Sequence, residues 1–446
     1  MLLAMNTFNN NQIKGNMHSG LDGKTVLRFT YSFYEGGGGL ERHLADLNRE
    51  LINANRMTII QICLTKIQKN FQQNVEQGRM GQLVHFIMPH RESQAQPEQA
   101  ALLKRPFLIA VYKKSKKYFH DYLMNFSRLS FLVQKLQRAM NYTIPYQGGF
   151  DYREFKKLMT STFERYQIDL IMMHTHDIFE ADLYLISESI RRKIPFAFQS
   201  HFHNKLFNLL SIRENVQHAS GIAGVSNRHV PKYIKGRFYK LSDGVDVYFY
   251  KKAMAKEKFL AKEPLVFLPA RITSGKGHID LIKAAQRIRK KKIAFKVICA
   301  GRCDMPEFEL RIRHLLKTKN LSDFFILLGH LSQEELREIY AQSQIVVLPS
   351  RTEGLPRVLL EAQAMELPVI AYNTGGVAET LRNHETGYLV RKGDFRALAK
   401  RIIELLADEK KRKQMGAAGR KFIEKNYSVE AMAKRHEVFY AQMMQE

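Results

Sequence analysis

At 446 residues and 51.9 kDa the chain exceeds what one compact core organises, so two domains are expected. Apolar residues at 45% and charged residues at 25% exclude wholesale disorder, and no run approaches the ~18 consecutive apolar residues of a membrane span. Lys and Arg number 70 against 43 Asp and Glu, and this +27 excess favours nucleic acid, an anionic membrane or phosphorylated ligands without choosing among them.

Met1–Met5 is apolar but lacks the basic flank and longer apolar stretch of a secretory signal. The three cysteines, Cys63, Cys299 and Cys303, form no zinc-type spacing and no even framework, which fits a reducing compartment and predicts a cytoplasmic protein. Residues 1–23 are Asn-rich and without period, and are read as a mobile tail outside the fold.

From Lys24 the pattern is strand (Thr25–Tyr31), glycine loop (Gly36–Gly39), helix (Glu41–Asn53) and strand (Met57–Leu64), one βαβ unit. The stretch Pro89–Arg165 is less regular. It carries Lys113, Lys114, Lys116 and Lys117 beside Tyr112, Tyr118 and Phe119, and residues 101–166 hold thirteen Lys/Arg against four Asp/Glu. Alternation resumes with strands at Leu170–Met173, Pro195–Gln199 and Gly221–Val225 around a helix at Ala181–Arg192. A second series starts near Pro264, with strands Leu265–Pro269, Phe295–Ala300, Phe324–Leu328, Ile345–Leu348 and Val369–Ala371 alternating with helices. Regular alternation predicts an α/β protein with doubly wound parallel sheets. The boundary falls in the Lys-rich stretch Tyr248–Lys262. Two Rossmann-like domains facing a central cleft would bind ligands between the carboxyl ends of their strands.

The most specific stretch is Arg351–Glu361, RTEGLPRVLLE. Pro356 suits the first position of a helix, and Gly354 and Leu355 would then present backbone amides at its positive end. Glu353 before the helix and Glu361 inside it can accept hydrogen bonds from hydroxyls at two points of an extended ligand; a plain amphipathic helix with two solvated glutamates is the alternative. Upstream, Arg271 and Lys276 on the loop leaving a strand suit a pyrophosphate, against the alternative of a solvated basic loop. Downstream, Asn373–Glu379 is a glycine turn suited to close backbone approach.

In that order, Arg271 and Lys276, Glu353–Glu361, and Gly375–Gly376 with Glu379 resemble the retaining nucleotide-sugar glycosyltransferases of family 4, which have the GT-B fold. Gly38-Gly39-Leu40-Glu41-Arg42-His43 resembles that family's first glycine loop, and Asp169–His176 followed by Pro195–His201 resembles its His-bearing strand ends. Ser242–Asp246 resembles its Asn-Gly-Val-Asp, with Asp243 in place of Asn, a change expected to affect only a turn. The likeness covers most of Thr25–Gln445 and is weakest across Pro89–Arg165.

The resemblance implies an acceptor-binding domain at 24–250 joined by a return helix at 429–446, and a donor-binding domain at 251–428. It implies that Glu361 holds the donor ribose, that Glu353 orients the transferred sugar beside the Gly354 and Leu355 amides, and that Arg271 and Lys276 neutralise the leaving diphosphate. Gly38 and Gly39 would face the donor phosphates and His201 the transferred sugar, with His203, His174 and His176 as lesser candidates. Arg357 is an extra cation facing either phosphate or solvent. No Asp-x-Asp occurs, and a metal-independent transfer without a cofactor is expected. The acceptor would be a glycan or lipid-linked glycan such as lipopolysaccharide, with the basic segment at 101–166 a route to an anionic membrane surface. A sugar-nucleotide epimerase of the same fold, and a basic protein binding nucleic acid or an anionic surface, are the alternatives.

Overall fold

The computed structural model describes residues 20–31, 39–65, 72–89, 152–174, 180–201, 216–228, 230–252, 263–303 and 305–445. The glycines at 36–38, His176, His203, the Lys113–Lys117 run and most of the Tyr248–Lys262 stretch lie outside these residues.

The first unit runs β1 (Thr25–Tyr31), α1 (Gly39–Ala54), β2 (Thr58–Thr65), β3 (Gln72–Gln77) and β4 (Gln82–Pro89), then α2 (Tyr152–Arg165), β5 (Leu170–His174), α3 (Glu180–Arg192), β6 (Phe196–Ser200), β7 (Gly221–Gly224) and β8 (Phe238–Lys240). Its sheet has the order β3-β4-β2-β1-β5-β6-β7-β8, and β3 alone pairs antiparallel. The second unit runs β9 (Leu265–Pro269), α4 (His278–Arg289), β10 (Lys296–Ala300), α5 (Pro306–Thr318), β11 (Phe325–Gly329), α6 (Gln333–Gln342), β12 (Ile345–Leu348), α7 (Arg357–Ala364), β13 (Val369–Tyr372), β14 (Gly387–Val390), α8 (Phe395–Ala407), α9 (Glu409–Tyr427) and α10 (Val429–Met443). Its strands follow the order β11-β10-β9-β12-β13-β14, all parallel.

The central strands explain themselves chemically. Leu265–Pro269 and Ile345–Leu348 are apolar at every position and buried throughout, as strands covered on both faces must be. In β1 the alternation survives within the core. Leu27 and Phe29 pack with Phe155 and Met159 of α2 on one face, while Val26 packs with Leu47 and Leu51 of α1 on the other. Several helix starts are capped: Ser332 and Glu335 form a reciprocal capping box at α6, and Asp394, Asp408 and Ser428 accept backbone N–H groups at α8, α9 and α10.

α10 leaves the second unit and packs on the first. Met432, Phe439, Tyr440 and Met443 share a core with Val26, Leu170 and Met172, and Asn55 donates to Glu437 at 2.8 Å. Arg28, fully buried on β1, donates to Asn48 of α1 and Tyr440 of α10 beneath this helix.

Two local expectations need correction. The tail read as ending at residue 23 gives way earlier, because Leu21 is buried in the α1–α10 core and the Gly23 amide donates to the Arg56 carbonyl at 2.7 Å. Pro356 stands just before α7 rather than inside it, in an extended conformation with φ −76° and ψ 104°.

Candidate functional site

Each sheet reverses its strand order once. In the first the reversal lies between β1 and β5, in the second between β9 and β12, and loops leaving the strands in opposite directions there open a crevice.

In the second unit three such loops are clamped together. After β9 the chain passes Arg271, which is exposed, and turns through Ser274–Lys276 to Gly277, whose φ of 80° is left-handed. A Cβ on Gly277 would sit 2.0 Å from the Pro349 carbonyl oxygen, so the turn packs directly on the loop after β12. The Arg351 amide donates to the Gly275 carbonyl at 2.8 Å, and the Arg351 guanidinium meets the buried Asp280 carboxylate at 3.1 Å. From the loop after β13, Gly376 donates to the Gly354 carbonyl at 2.8 Å. Gly375, with φ 49°, leaves space that a Cβ would lose at 1.7 Å from the Glu353 carbonyl oxygen.

This clamp brings Lys276 and Glu353 together, with Nζ donating to Oε1 at 2.6 Å. Glu361 lies one helix further in, 1% exposed, and its Oε2 accepts from the Tyr340 hydroxyl at 3.0 Å. Burial and then the adjoining Glu361 charge raise the Tyr340 phenol well above its ordinary range, so the hydroxyl stays a donor. Leu355 is buried in the core of the second unit, and Gly354 offers its carbonyl to Gly376.

The first unit closes the other wall. Arg42 of α1 reaches Glu361 Oε1 at 3.4 Å, and Asp46, one turn on, receives Arg357 at 3.1 Å. Arg357 is therefore not a solvated cation but a buried partner of the opposite domain. Glu379, beyond the Gly375–Gly376 turn, accepts from the Ser226 hydroxyl, the Asn227 amide at 3.1 Å and Lys240 at 2.6 Å. Gly39 is the first residue of α1.

At the ends of β5 and β6, His174 Nδ1 and His201 Nε2 lie 2.8 Å apart. Asp243, on the segment after β8, approaches His43 Nδ1 at 2.9 Å and His201 Nδ1 at 3.8 Å. The reading of Asp243 as a turn substitution is thereby corrected: it is a buried carboxylate facing two imidazoles. Burial opposes its ionisation, but the two rings outweigh this and hold its pKa below the usual carboxylate range. Burial lowers His43 to about 4 even though Asp243 pulls the other way.

Arg42, Asp46, Tyr340, His43 and Asp243 acquire their places only through long-range packing. Arg42 and His43 close the Gly38–His43 motif and Asp243 is acidic where the resembling motif has an amide, whereas Asp46 and Tyr340 carried no such signal.

Residues 249–422 match the sequence model of the family described as glycosyl transferases group 1. The capsular polysaccharide biosynthesis glycosyltransferase CapM of Staphylococcus aureus is 33% identical over 176 residues, which cover 40% of this chain and 45% of that protein. A GDP-mannose-dependent monoacylated alpha-(1-6)-phosphatidylinositol monomannoside mannosyltransferase of Corynebacterium glutamicum is 32% identical over 213 residues, 44% of this chain and 54% of that one. The chain thus spans about half the length of these curated relatives. Among solved structures, sucrose-phosphate synthase from Thermosynechococcus elongatus superposes with a TM-score of 0.66 at 18% identity, covering 95% of this chain and 99% of that one. Anabaena HepE in complex with UDP and glucose gives 0.63 at 15% identity, covering 93% and 98%. The architecture is therefore GT-B: two parallel-sheet α/β domains about a cleft.

Proposed function

We propose, from a second unit that carries a glycosyl transferases group 1 domain, that the chain is a glycosyltransferase. It moves a sugar from a nucleotide diphosphate-sugar to a hydroxyl of a glycan or lipid-linked glycan, with retention and without a metal. The observation that carries this reading is the Lys276–Glu353 pair on the loops at the carboxyl ends of β9 and β12, with Glu361 in the helix that follows meeting Arg42 from the other domain.

In this reading Glu361 accepts from the donor ribose hydroxyls, and Tyr340 fixes the carboxylate that does so. The acceptor oxygen bonds to the anomeric carbon as the bond to the diphosphate breaks. The electron pair and the acceptor proton both pass to the diphosphate oxygen on the same face. Lys276 and Arg271 stabilise the charge that develops there, and Lys276 is already poised by Glu353 at 2.6 Å. Glu353, released from Lys276 by the diphosphate, orients the sugar beside Gly354 and Leu355, while Gly39, at the start of α1, brings the first domain's backbone to the phosphates. His201 faces the sugar from the end of β6.

A lipid-linked or capsular-type acceptor is favoured by the names of the two curated relatives and by the cationic excess at 101–166. Among the described residues no helix is long and apolar enough to cross a membrane. A cytoplasmic enzyme held peripherally at an anionic surface fits both observations. Incubation with a panel of sugar nucleotides and membrane-extracted acceptors tests the reading. It predicts release of one nucleoside diphosphate in EDTA and a product with the donor's anomeric configuration. An inverted product would contradict retention, and turnover only on metal addition would contradict metal independence.

A further inference from the structure

The first domain buries a polar cluster that only partly enters the roles above. His43 comes from α1, His174 ends β5, His201 follows β6, and Asp243 follows β8. His436 of α10 completes it, with its ring 5.8 Å from that of His43 and Nε2 3.4 Å from the Gln199 side-chain oxygen. His43, His174 and His436 are essentially inaccessible to solvent.

The backbone fixes where the carboxylate stands. The Leu241 amide continues the sheet by donating to Gly224 at 2.9 Å, and Arg435 of α10 donates to the Ser242 carbonyl at 3.2 Å. At Gly244 a Cβ would meet the Ser428 carbonyl oxygen at 2.9 Å, so the segment runs hard against the start of α10. Asp243 has little freedom to lie elsewhere.

The charge census around the cluster is one-sided. Asp243 is its carboxylate; Arg435 of α10, Arg28 of β1 and Arg357 of α7 bear on the rings or on Asp243. Asp46 balances Arg357. In this setting burial keeps His43, His174 and His436 neutral, and Asp243 stays ionised.

An ionised carboxylate only accepts hydrogen bonds. A ring nitrogen 2.9 Å from it with a bare lone pair would be repelled, so His43 carries its proton on Nδ1. The same holds for His201, which turns Nδ1 to that oxygen at 3.8 Å. A neutral His201 ring with its proton on Nδ1 leaves Nε2 an acceptor, and His174 Nδ1, at 2.8 Å, then donates to it. Neither Nδ1 facing Asp243 completes a well-aligned hydrogen bond, so the contact is electrostatic.

We propose that Asp243 is a positioning residue for sugar transfer: through one carboxylate it holds His43, His201 and His174 as Nδ1–H tautomers. His201, and the β6 end that bears it, are thereby kept in one geometry on the cleft wall. The consequence for turnover rests on the transferase reading; the tautomer assignment does not. The rival is a bound cation, because the His43, His201 and Asp243 donor atoms lie within 4.8 Å of one another. With Arg357 balanced by Asp46, Arg28 and Arg435 still outnumber the single carboxylate Asp243, which disfavours a dication there.

The test is long-range proton–nitrogen NMR on the full chain labelled in its histidine rings, with His43→Gln, His174→Gln and His201→Gln used for assignment. Nδ1–H patterns for His43, His201 and His174 at neutral pH are expected. Nε2–H at either His43 or His201 in the wild type would overturn the proposal whether or not turnover is ever found. Asp243→Asn should scramble these tautomers and lower kcat on the order of tenfold to a hundredfold, with KM for the donor within about threefold as expected of a change in positioning. Unchanged kcat in a folded Asp243→Asn protein would refute the positioning role. Stoichiometric metal in the purified wild type, lost in Asp243→Asn, would replace the proposal with a metal site.

Discussion

Glu361→Ala removes a carboxylate that is 1% exposed and held by Tyr340 at 3.0 Å and Arg42 at 3.4 Å. Two ribose hydroxyls donating to it would each contribute ~1.5–3 kcal/mol as charge-assisted hydrogen bonds. Donor binding must first displace the Arg42 contact, a long and partly exposed pair worth ~0–1 kcal/mol. Tyr340 must also share its acceptor. The net loss in the alanine variant is then roughly 2–6 kcal/mol, that is, at least about 30-fold in Kd. The variant also leaves the Tyr340 hydroxyl buried without its acceptor, at a cost of ~1–3 kcal/mol in stability. Calorimetric titration of the nucleoside diphosphate, run well below a separately measured Tm, reads the affinity alone. Glu361→Gln, which keeps one acceptor oxygen, should fall between wild type and alanine. A folded alanine variant binding the diphosphate within threefold of wild type would refute the ribose role.

Lys276→Ala and Arg271→Ala should each lower kcat by about 10²-fold or more if they stabilise the leaving diphosphate; steady-state rates near wild type in both would overturn that role. Gly375→Ala forces a φ of 49° on a residue with a Cβ and drives that atom into the Glu353 carbonyl. Left-handed backbone alone costs ~1–2 kcal/mol, so urea denaturation should show at least that loss together with reduced turnover, and a change under ~0.5 kcal/mol would contradict the clamp. Met432→Ala, at a fully buried side chain where α10 meets the first domain, should cost ~2–5 kcal/mol. A surface-like effect would mean that the return helix is not docked.

Stability should also fall with acid. Burial lowers His43, and burial with Lys276 lowers His278, each from 6.5 to about 4. Between those values the unfolded chain binds protons that the folded chain refuses, so stability drops as pH falls from 6.5 towards 4, by up to ~1.4 kcal/mol per unit and group. Denaturant midpoints at pH 7 and pH 5 check this, and His43→Gln should flatten the difference.

Much of the architecture was legible because buried parallel strands have few disguises. Leu265–Pro269 and Ile345–Leu348 are uninterrupted apolar runs, and their predicted bounds match the observed ones. Four strands were missed, Gln72–Gln77, Gln82–Pro89, Phe238–Lys240 and Gly387–Val390, and two of them offer little apolar pattern to read. Gln72–Gln77 is almost wholly polar and sits at the sheet edge, and Phe238–Lys240 is a three-residue edge strand. Periodicity carries no signal for either. Within the candidate site, residues on loops after strands were accessible to reasoning because topology dictates where ligands bind. Their partners were not. That Lys276 would meet Glu353, or that Asp243 would lie beneath His43 some two hundred positions away, is decided by how the sheets pack. Arg357 illustrates the same limit, since nothing adjacent to it in the chain indicates Asp46.

The central claim is that the second domain holds a nucleotide diphosphate-sugar through Glu361 and the Lys276 loop. A thermal-shift panel of UDP, GDP, ADP, CMP and their common sugar conjugates, run in EDTA, addresses it directly, because a ligand of the folded state raises Tm by mass action. One diphosphate and its sugar conjugate should raise Tm selectively, and Glu361→Ala should abolish the shift. No shift with any nucleotide in the wild type, or a shift that survives in Glu361→Ala, would contradict the donor-site assignment.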